Sequence, residues 1–282
     1  MKSPLITVAE LQGLLPQDPL LLDIRFDLGD AEAGRRAYAA GHLPGSFYLH
    51  LDEDCCGPKR DAGGAFRGRH PLPDREVFAA RLRQLGWHYK RPVVCIESAS
   101  GMFAARLWWM LRWLGHEDVL VLDGGLNAWT AAGEPLCAEA PDARPQPPFP
   151  LREPLVERLD KATLRASLGR VAMVDARAAE RFRGEVEPLD AHAGHIPGAR
   201  NRPFGENLGA DGRFKPAEQL RAEWAALHPS KDTVHSCGSG VSACHNLLAL
   251  AAAGLPVGRL YGGSWSEWSA DPAMPLARHT RN

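Results

Sequence analysis

Short apolar runs alternate along this chain with longer stretches in which apolar residues recur every three or four positions. Pro92-Val93-Val94-Cys95-Ile96 reads as a buried strand, Gly101 to Leu114 as a helix, and Asp118-Val119-Leu120-Val121-Leu122 as the next strand. The same order returns near the C-terminus. Thr233-Val234-His235 is short and partly β-branched, and Ala243 to Ala253 is built of strong helix formers with Gly254 as a C-terminal stop. Such alternation predicts an α/β fold with parallel sheets flanked by helices. The aromatic run Leu107-Trp108-Trp109-Met110-Leu111-Arg112-Trp113 has apolar neighbours and is expected to be a core helix, not a surface for stacking bases.

The two halves of the chain carry one unit written twice. Leu21-Leu22-Asp23-Ile24-Arg25 answers to Met173-Val174-Asp175-Ala176-Arg177, Gly41-His42-Leu43-Pro44-Gly45 to Gly194-His195-Ile196-Pro197-Gly198, and Leu122-Asp123-Gly124-Gly125 to Tyr261-Gly262-Gly263-Ser264. Between the halves, Ala138 to Pro154 holds six prolines and favours an extended connector. The expected organisation is therefore a first domain over 1–137, a proline-rich linker over 138–156 and a second domain over 157–282.

Composition narrows the field. The 282 residues are 45% hydrophobic and 24% charged, ordinary for globular protein, and a net charge of −1 gives no reason to invoke nucleic acid or an anionic membrane. The N-terminal residues lack the apolar core of a signal peptide and no stretch approaches a membrane span, so the chain reads as soluble and cytoplasmic. The six cysteines, at 55, 56, 95, 137, 237 and 244, show no CxxC spacing, which argues against zinc, and a reduced compartment argues against a disulfide framework. No metal or organic cofactor is expected. His192 and His195 have ligand spacing, but His195 lies in the repeated Gly-His-Ile-Pro-Gly turn, where a hydrogen bond that holds the turn is the simpler role. The Cys55-Cys56 pair is assigned no role, and Cys244 is expected at a buried helix position.

One cysteine stands apart. Cys237 opens the run Gly238-Ser239-Gly240-Val241-Ser242 at a strand-to-helix turn. Two glycines let the loop curl with its N–H groups inward, and the helix N-terminus adds partial positive charge at the same spot. Both favour an anionic sulfur, hence nucleophilic sulfur chemistry. In parallel α/β sheets, ligands bind beyond the carboxyl ends of the strands, where this turn falls.

With its duplicated unit, its Gly-His-Ile-Pro-Gly turn and its Cys-Gly-Ser-Gly-Val-Ser loop, the chain resembles the tandem-domain rhodanese sulfurtransferases over nearly its whole length. The resemblance implies two rhodanese-like domains, each a parallel sheet flanked by helices, the second of them catalytic. The loop is close to the Cys-Gly-Ser-Gly-Val-Thr of the family's mercaptopyruvate branch, with Ser242 for threonine, whereas thiosulfate-specific members carry Arg and Lys where this chain has Gly238 and Ser239. Arg181 occupies the family's position for an arginine that holds the substrate carboxylate. A second such arginine, expected just after a Glu-Pro pair, is missing: Glu187-Pro188 is followed by Leu189, which leaves Arg183 and Arg202 as possible replacements. Alignment of the halves sets Glu97 against Cys237, so the first domain has no nucleophile and is expected to be catalytically silent. The same alignment sets Asp123 against Gly262, a further departure, because the family's second domain usually has Asp there.

The expected activity is transfer of sulfur from 3-mercaptopyruvate through a Cys237 persulfide to a thiol acceptor, such as a thioredoxin-like protein, or to cyanide, with release of pyruvate. The loop of Gly238, Ser239, Gly240, Val241 and Ser242 is expected to cradle the outer sulfur. Thiosulfate:cyanide sulfur transfer is the nearest alternative, and a non-enzymatic persulfide relay is a second. Phosphatase chemistry lacks its clamp, because the sixth residue after the cysteine is Ala243 where an arginine is required.

Overall fold

The structure, a computed structural model, describes residues 3–278. The chain forms two compact units. The first holds the N-terminal segment to Cys56, Pro73–Leu155 and Leu208–Phe214; the second holds Gly57–Leu72, Val156–Asn207 and the segment from Lys215 onward. Residues 57–72 thus belong physically to the second unit although they lie early in the sequence.

The first unit runs β1 (Leu5–Ile6), α1 (Val8–Leu14), β2 (Leu20–Asp23), α2 (Ala33–Ala40), β3 (Ser46–Tyr48), α3 (Leu51–Asp54), α4 (Arg75–Gln84), β4 (Val93–Ile96), α5 (Met102–Trp113), β5 (Val119–Leu122) and α6 (Gly125–Ala131). The second runs β6 (Arg158–Leu159), α7 (Lys161–Ser167), β7 (Met173–Asp175), α8 (Ala179–Arg183), β8 (Ala199–Asn201), α9 (Ala217–Ala225), β9 (Val234–Ser236), α10 (Ser242–Ala252), β10 (Arg259–Tyr261) and α11 (Ser264–Ser269). Each unit has one five-stranded sheet, ordered β1-β5-β4-β2-β3 and β6-β10-β9-β7-β8, and every pairing is parallel. The repeat seen in the sequence is therefore a repeat of topology.

Local chemistry explains the element ends. Thr7 caps α1 in a reciprocal box with Glu10, and Asp74 and Asp160 accept N–H groups at the heads of α4 and α7. Gly254, at φ +69°, stops α10 in the left-handed region, and Leu255 N–H closes back on Leu250 O at 2.9 Å. Strands β2, β4 and β5 are buried throughout, which is why they read as continuous apolar runs. Trp108 and Trp109 on α5 are buried in the first unit, as the apolar surroundings predict. The proline-rich stretch runs extended within that unit, with Gln146 N–H donating to Arg83 O at 2.9 Å and Arg83 Nη2 to Phe149 O at 2.6 Å. No described helix is long and apolar enough to cross a membrane.

Candidate active site

Cys237 follows β9, the central strand of the second sheet, and α10 starts five residues later. The loop between them requires its glycines. Gly240 has φ +78°, and a Cβ there would come within 2.3 Å of Gly262 O; a Cβ on Gly238 would come within 2.7 Å of Arg69 Nη2. The tight curl delivers Gly240 N–H to the Cys237 sulfur at 3.1 Å. Ser264, at the head of α11, accepts from Cys237 N–H at 3.1 Å, and its hydroxyl lies 3.9 Å from the same sulfur. Trp265 and Ser266 donate their N–H groups to Cys237 O and Gly238 O, each at 2.9 Å, so the turn is pinned from both sides. Cys237 is only 1% exposed. Buried Val241 and the partly exposed Ser242 complete the loop, Ser242 as the first residue of α10.

Ser264 holds φ +52°, a left-handed conformation uncommon outside glycine and costly for a residue with a Cβ. Its counterpart in the first unit is Gly125, at φ +55°. The backbone shape is shared, and only the unit with the thiol places a hydroxyl on it.

Three further side chains converge on the loop. His70 Nδ1 lies 2.8 Å from the Ser239 hydroxyl, and both residues are buried. Arg69, the residue before it, anchors its N–H on Ser266 Oγ at 3.1 Å and reaches its side chain toward Gly238. Arg181, on α8, approaches Gly238 as well: the Cβ position there is 3.6 Å from Arg181 Nη1. A carboxylate pair holds these cations. Arg181 Nη2 meets Glu187 at 2.6 Å and Asp190 at 3.3 Å, Arg69 Nε meets Asp190 at 3.3 Å, and Arg177 bridges Asp175 and Glu187 at 2.8 and 3.2 Å. Burial raises the Asp190 carboxyl above its ordinary range, and the charge of Arg69 pulls it back. Three arginines and three carboxylates balance, so the network is neutral before any ligand arrives.

The structure brings together Cys237, Gly238, Ser239, Gly240 and Arg181. It does not bring Arg183 or Arg202 to the loop. Arg183 pairs with Glu185 at 3.0 Å, and Arg202 pairs with Glu223 at 2.7 Å and stacks on Trp224. Neither replaces the arginine missing at Leu189. His195 Nδ1 lies 2.8 Å from Phe182 O and its ring stacks on Phe182, the turn-holding role expected of it. Cys244 is buried in α10, with its thiol donating to Gly240 O at 3.4 Å. Burial pushes the Cys55 and Cys95 thiols well above the ordinary range, so neither resembles a nucleophile.

Sequence reasoning missed His70, Arg69 and Ser264. The first two come from residues 57–72, with no local motif to tie them to a loop far along the chain. Ser264 could have been found, because the repeat sets it against Gly125 in the segment that borders the Cys237 turn.

The first unit shows what the same loop does without a thiol. Glu97 follows β4, and its carboxylate accepts Ser100 Oγ–H at 3.0 Å, Gly101 N–H at 2.8 Å and Phe103 N–H at 2.6 Å. The inward N–H groups close on a fixed anion. Elsewhere in this unit, Glu32, His50 and Glu53 bring ligand-type atoms within 4.8 Å of one another. His50 already uses Nδ1 on Glu53 N–H and Nε2 on Ala31 O, and Glu53 pairs with Arg35, so no lone pair on that imidazole is left for an ion.

Known proteins share this architecture. The profile of the rhodanese-like domain matches residues 7–132 and 157–271. A Pseudomonas aeruginosa protein named "Probable 3-mercaptopyruvate sulfurtransferase" is 47% identical over 285 residues, 97% of each chain. A Mycobacterium tuberculosis protein named "Putative thiosulfate sulfurtransferase SseB" is 41% identical over 285 residues, 98% of this chain and 97% of that one. The structure of the 3-mercaptopyruvate sulfurtransferase from Leishmania major superposes with a TM-score of 0.83 at 30% identity, covering 95% of this chain and 74% of that one. Two matched domains, two identical sheet topologies and a cysteine loop at the end of one central strand make a single statement: the chain belongs to the rhodanese family, as a tandem of two rhodanese-like domains.

Proposed function

We propose that this chain is a sulfurtransferase that moves sulfur from 3-mercaptopyruvate through a persulfide on Cys237 to an acceptor thiol or cyanide. The observation that carries the reading is the Cys237 sulfur, held 3.1 Å from Gly240 N–H in a neutral glycine loop with Arg181 beside Gly238. The Cys237 thiolate attacks the donor sulfur, a sulfur–sulfur bond forms, and the carbon–sulfur bond breaks with its electron pair passing to the pyruvate enolate. The proton originally on the donor thiol balances the step by reaching that carbon, so a persulfide anion and pyruvate result. Inward N–H groups of the Gly238 to Ser242 loop stabilise the outer sulfur, and the Ser239 hydroxyl, polarised by His70 at 2.8 Å, supports the developing enolate oxygen. Arg181 holds the donor carboxylate. Cyanide leaves as thiocyanate after taking the outer sulfur; a dithiol acceptor of the thioredoxin type becomes a disulfide and releases sulfide. The six free cysteines, reactive Cys237 among them, fit a reducing cytoplasm.

Replacement of Cys237 by serine is expected to abolish pyruvate release from 3-mercaptopyruvate, and retained turnover would sink the assignment. Thiosulfate is the second reading, favoured by the name of the Mycobacterium relative. Specificity constants for the two donors separate the readings: the neutral loop predicts the larger value for 3-mercaptopyruvate. A persulfide that forms on Cys237 only from a protein donor would establish a relay instead.

A further inference from the structure

Each unit accepts a short segment from the other half of the chain and holds it by a main-chain N–H. Residues 208–214 belong to the first unit, where Phe214 N–H donates to Asp123 Oδ1 at 2.9 Å. Residues 57–72 belong to the second, but the counterpart of Asp123 there is Gly262, which has no carboxylate to offer. Ser266 is the holding group instead. Its hydroxyl accepts Arg69 N–H at 3.1 Å and donates to Gly263 O at 3.1 Å, so the oxygen is fixed on both sides. The approach is close enough to exclude a side chain at Gly68: a Cβ there would lie 3.0 Å from Ser266 Oγ and 2.9 Å from Gly263 O.

Ser266 also holds the nucleophile loop, since its own N–H donates to Gly238 O at 2.9 Å. Residues 69 and 238 are therefore gripped by one buried residue, and the residues that follow them, His70 and Ser239, make the 2.8 Å hydrogen bond of the site. One peptide, ~3.8 Å between Cα atoms, separates each grip from its member of that bond. A slip of ~1 Å between the two segments would carry the contact outside hydrogen-bond range. Asn127, at the same step of the first unit, keeps the main-chain half of this arrangement, its N–H on Ser98 O at 2.9 Å, and is itself exposed. We infer that Ser266 is a positioning residue for sulfur transfer: its hydroxyl seats residues 57–72 at the depth that puts His70 on the Ser239 hydroxyl. It acts through His70, and the inference rests on the mercaptopyruvate reading, in which the Ser239 hydroxyl meets the developing enolate.

A double-mutant cycle reads that dependence. Pyruvate release from 3-mercaptopyruvate is measured for wild-type protein, His70→Ala, Ser266→Ala and the double variant. Ser266→Ala is expected to lower kcat roughly 10-fold, and His70→Ala at least as far. The double variant is expected to lie within ~2-fold of His70→Ala alone, because loss of the hydroxyl costs nothing more once the imidazole is gone. Losses that multiply, or a kcat for Ser266→Ala within ~2-fold of wild type, would overturn the inference, since a merely structural serine gives one or the other. An isosteric pair covers the case in which the alanine variant folds poorly. Ser266→Thr keeps the hydroxyl and is expected to hold kcat within ~3-fold of wild type, whereas Ser266→Val has the same shape without it and is expected to fall roughly 10-fold, again without adding to His70→Ala. Equal rates for the threonine and valine variants would overturn the inference as well. Wild-type protein inactive on 3-mercaptopyruvate would instead overturn the reading beneath it, and the two failures are distinguishable by which protein shows them.

Discussion

Glu97 and Cys237 stand at the same step of the two repeats, and the backbone closes around each in the same manner. Leu126 and Asn127 donate to Glu97 O and Ser98 O at 2.8 and 2.9 Å, as Trp265 and Ser266 donate to Cys237 O and Gly238 O. The side chains then diverge. In the first unit a carboxylate satisfies the loop's donors; in the second a sulfur receives one N–H beside the Ser264 hydroxyl, in a loop bordered by a histidine and two arginines. The difference predicts that the turn alone only holds an anion, and that sulfur-transfer activity depends on the groups brought to it.

The largest effect tests that claim by moving the thiol. Glu97→Cys in a Cys237→Ser background is expected to stay at least ~10³-fold below wild type in pyruvate release, because a nucleophile without its partners loses most of the rate. Substantial turnover by this variant would show that the turn alone suffices.

A smaller effect is expected at Ser264. Ser264→Gly keeps the left-handed backbone of Gly125 and removes the hydroxyl beside the sulfur, and a fall in kcat of roughly 10-fold is expected. Ser264→Ala should lose the same activity and be less stable than the glycine variant by about 1 kcal/mol, since alanine must hold the positive φ. Thermal unfolding of the two variants side by side reads the difference.

The smallest effect concerns how the second sheet tolerates acid. His235, on β9 two residues before Cys237, is fully buried with neither ring nitrogen hydrogen-bonded, and burial lowers its pKa to about 3 from 6.5. The unfolded chain binds a proton below about pH 6.5 that the folded chain refuses until about pH 3, so stability is lost as pH drops across that window, by at most ~1.4 kcal/mol per unit. His116, lowered to about 4 mainly by burial, adds to the same trend in the first unit. His235→Phe is expected to flatten the dependence of the second unit's denaturation midpoint between pH 6.5 and 4. An unchanged slope would remove His235 as its source.

Much of this was legible in the sequence, for reasons that particular residues make clear. The strands showed because β2, β4 and β5 are buried on both faces and so contain little but apolar side chains. The Cys237 loop showed because its residues are contiguous, and Arg181 because it stands four residues after the repeated Asp175-Ala176-Arg177 motif, at the position where the family resemblance places an arginine. Arg69 and His70 did not show, since their part in the loop depends on tertiary placement of residues 57–72 and on no local pattern. Arg183 and Arg202 misled for the converse reason: they lie close in sequence to the expected arginine, while acidic neighbours, Glu185 and Glu223, decide where their side chains go.

The membership of residues 57–72 in the second unit has a consequence for how such a chain can be inherited and divided. A duplicated gene ordinarily leaves two copies that recombination could separate again, each carrying its own domain. Here the stretch encoding the second copy alone would leave Arg69 and His70 behind, since both are written inside the first. The first half of the gene is thereby tied to the second, whatever happens to its own loop, because it encodes residues that border the Cys237 loop.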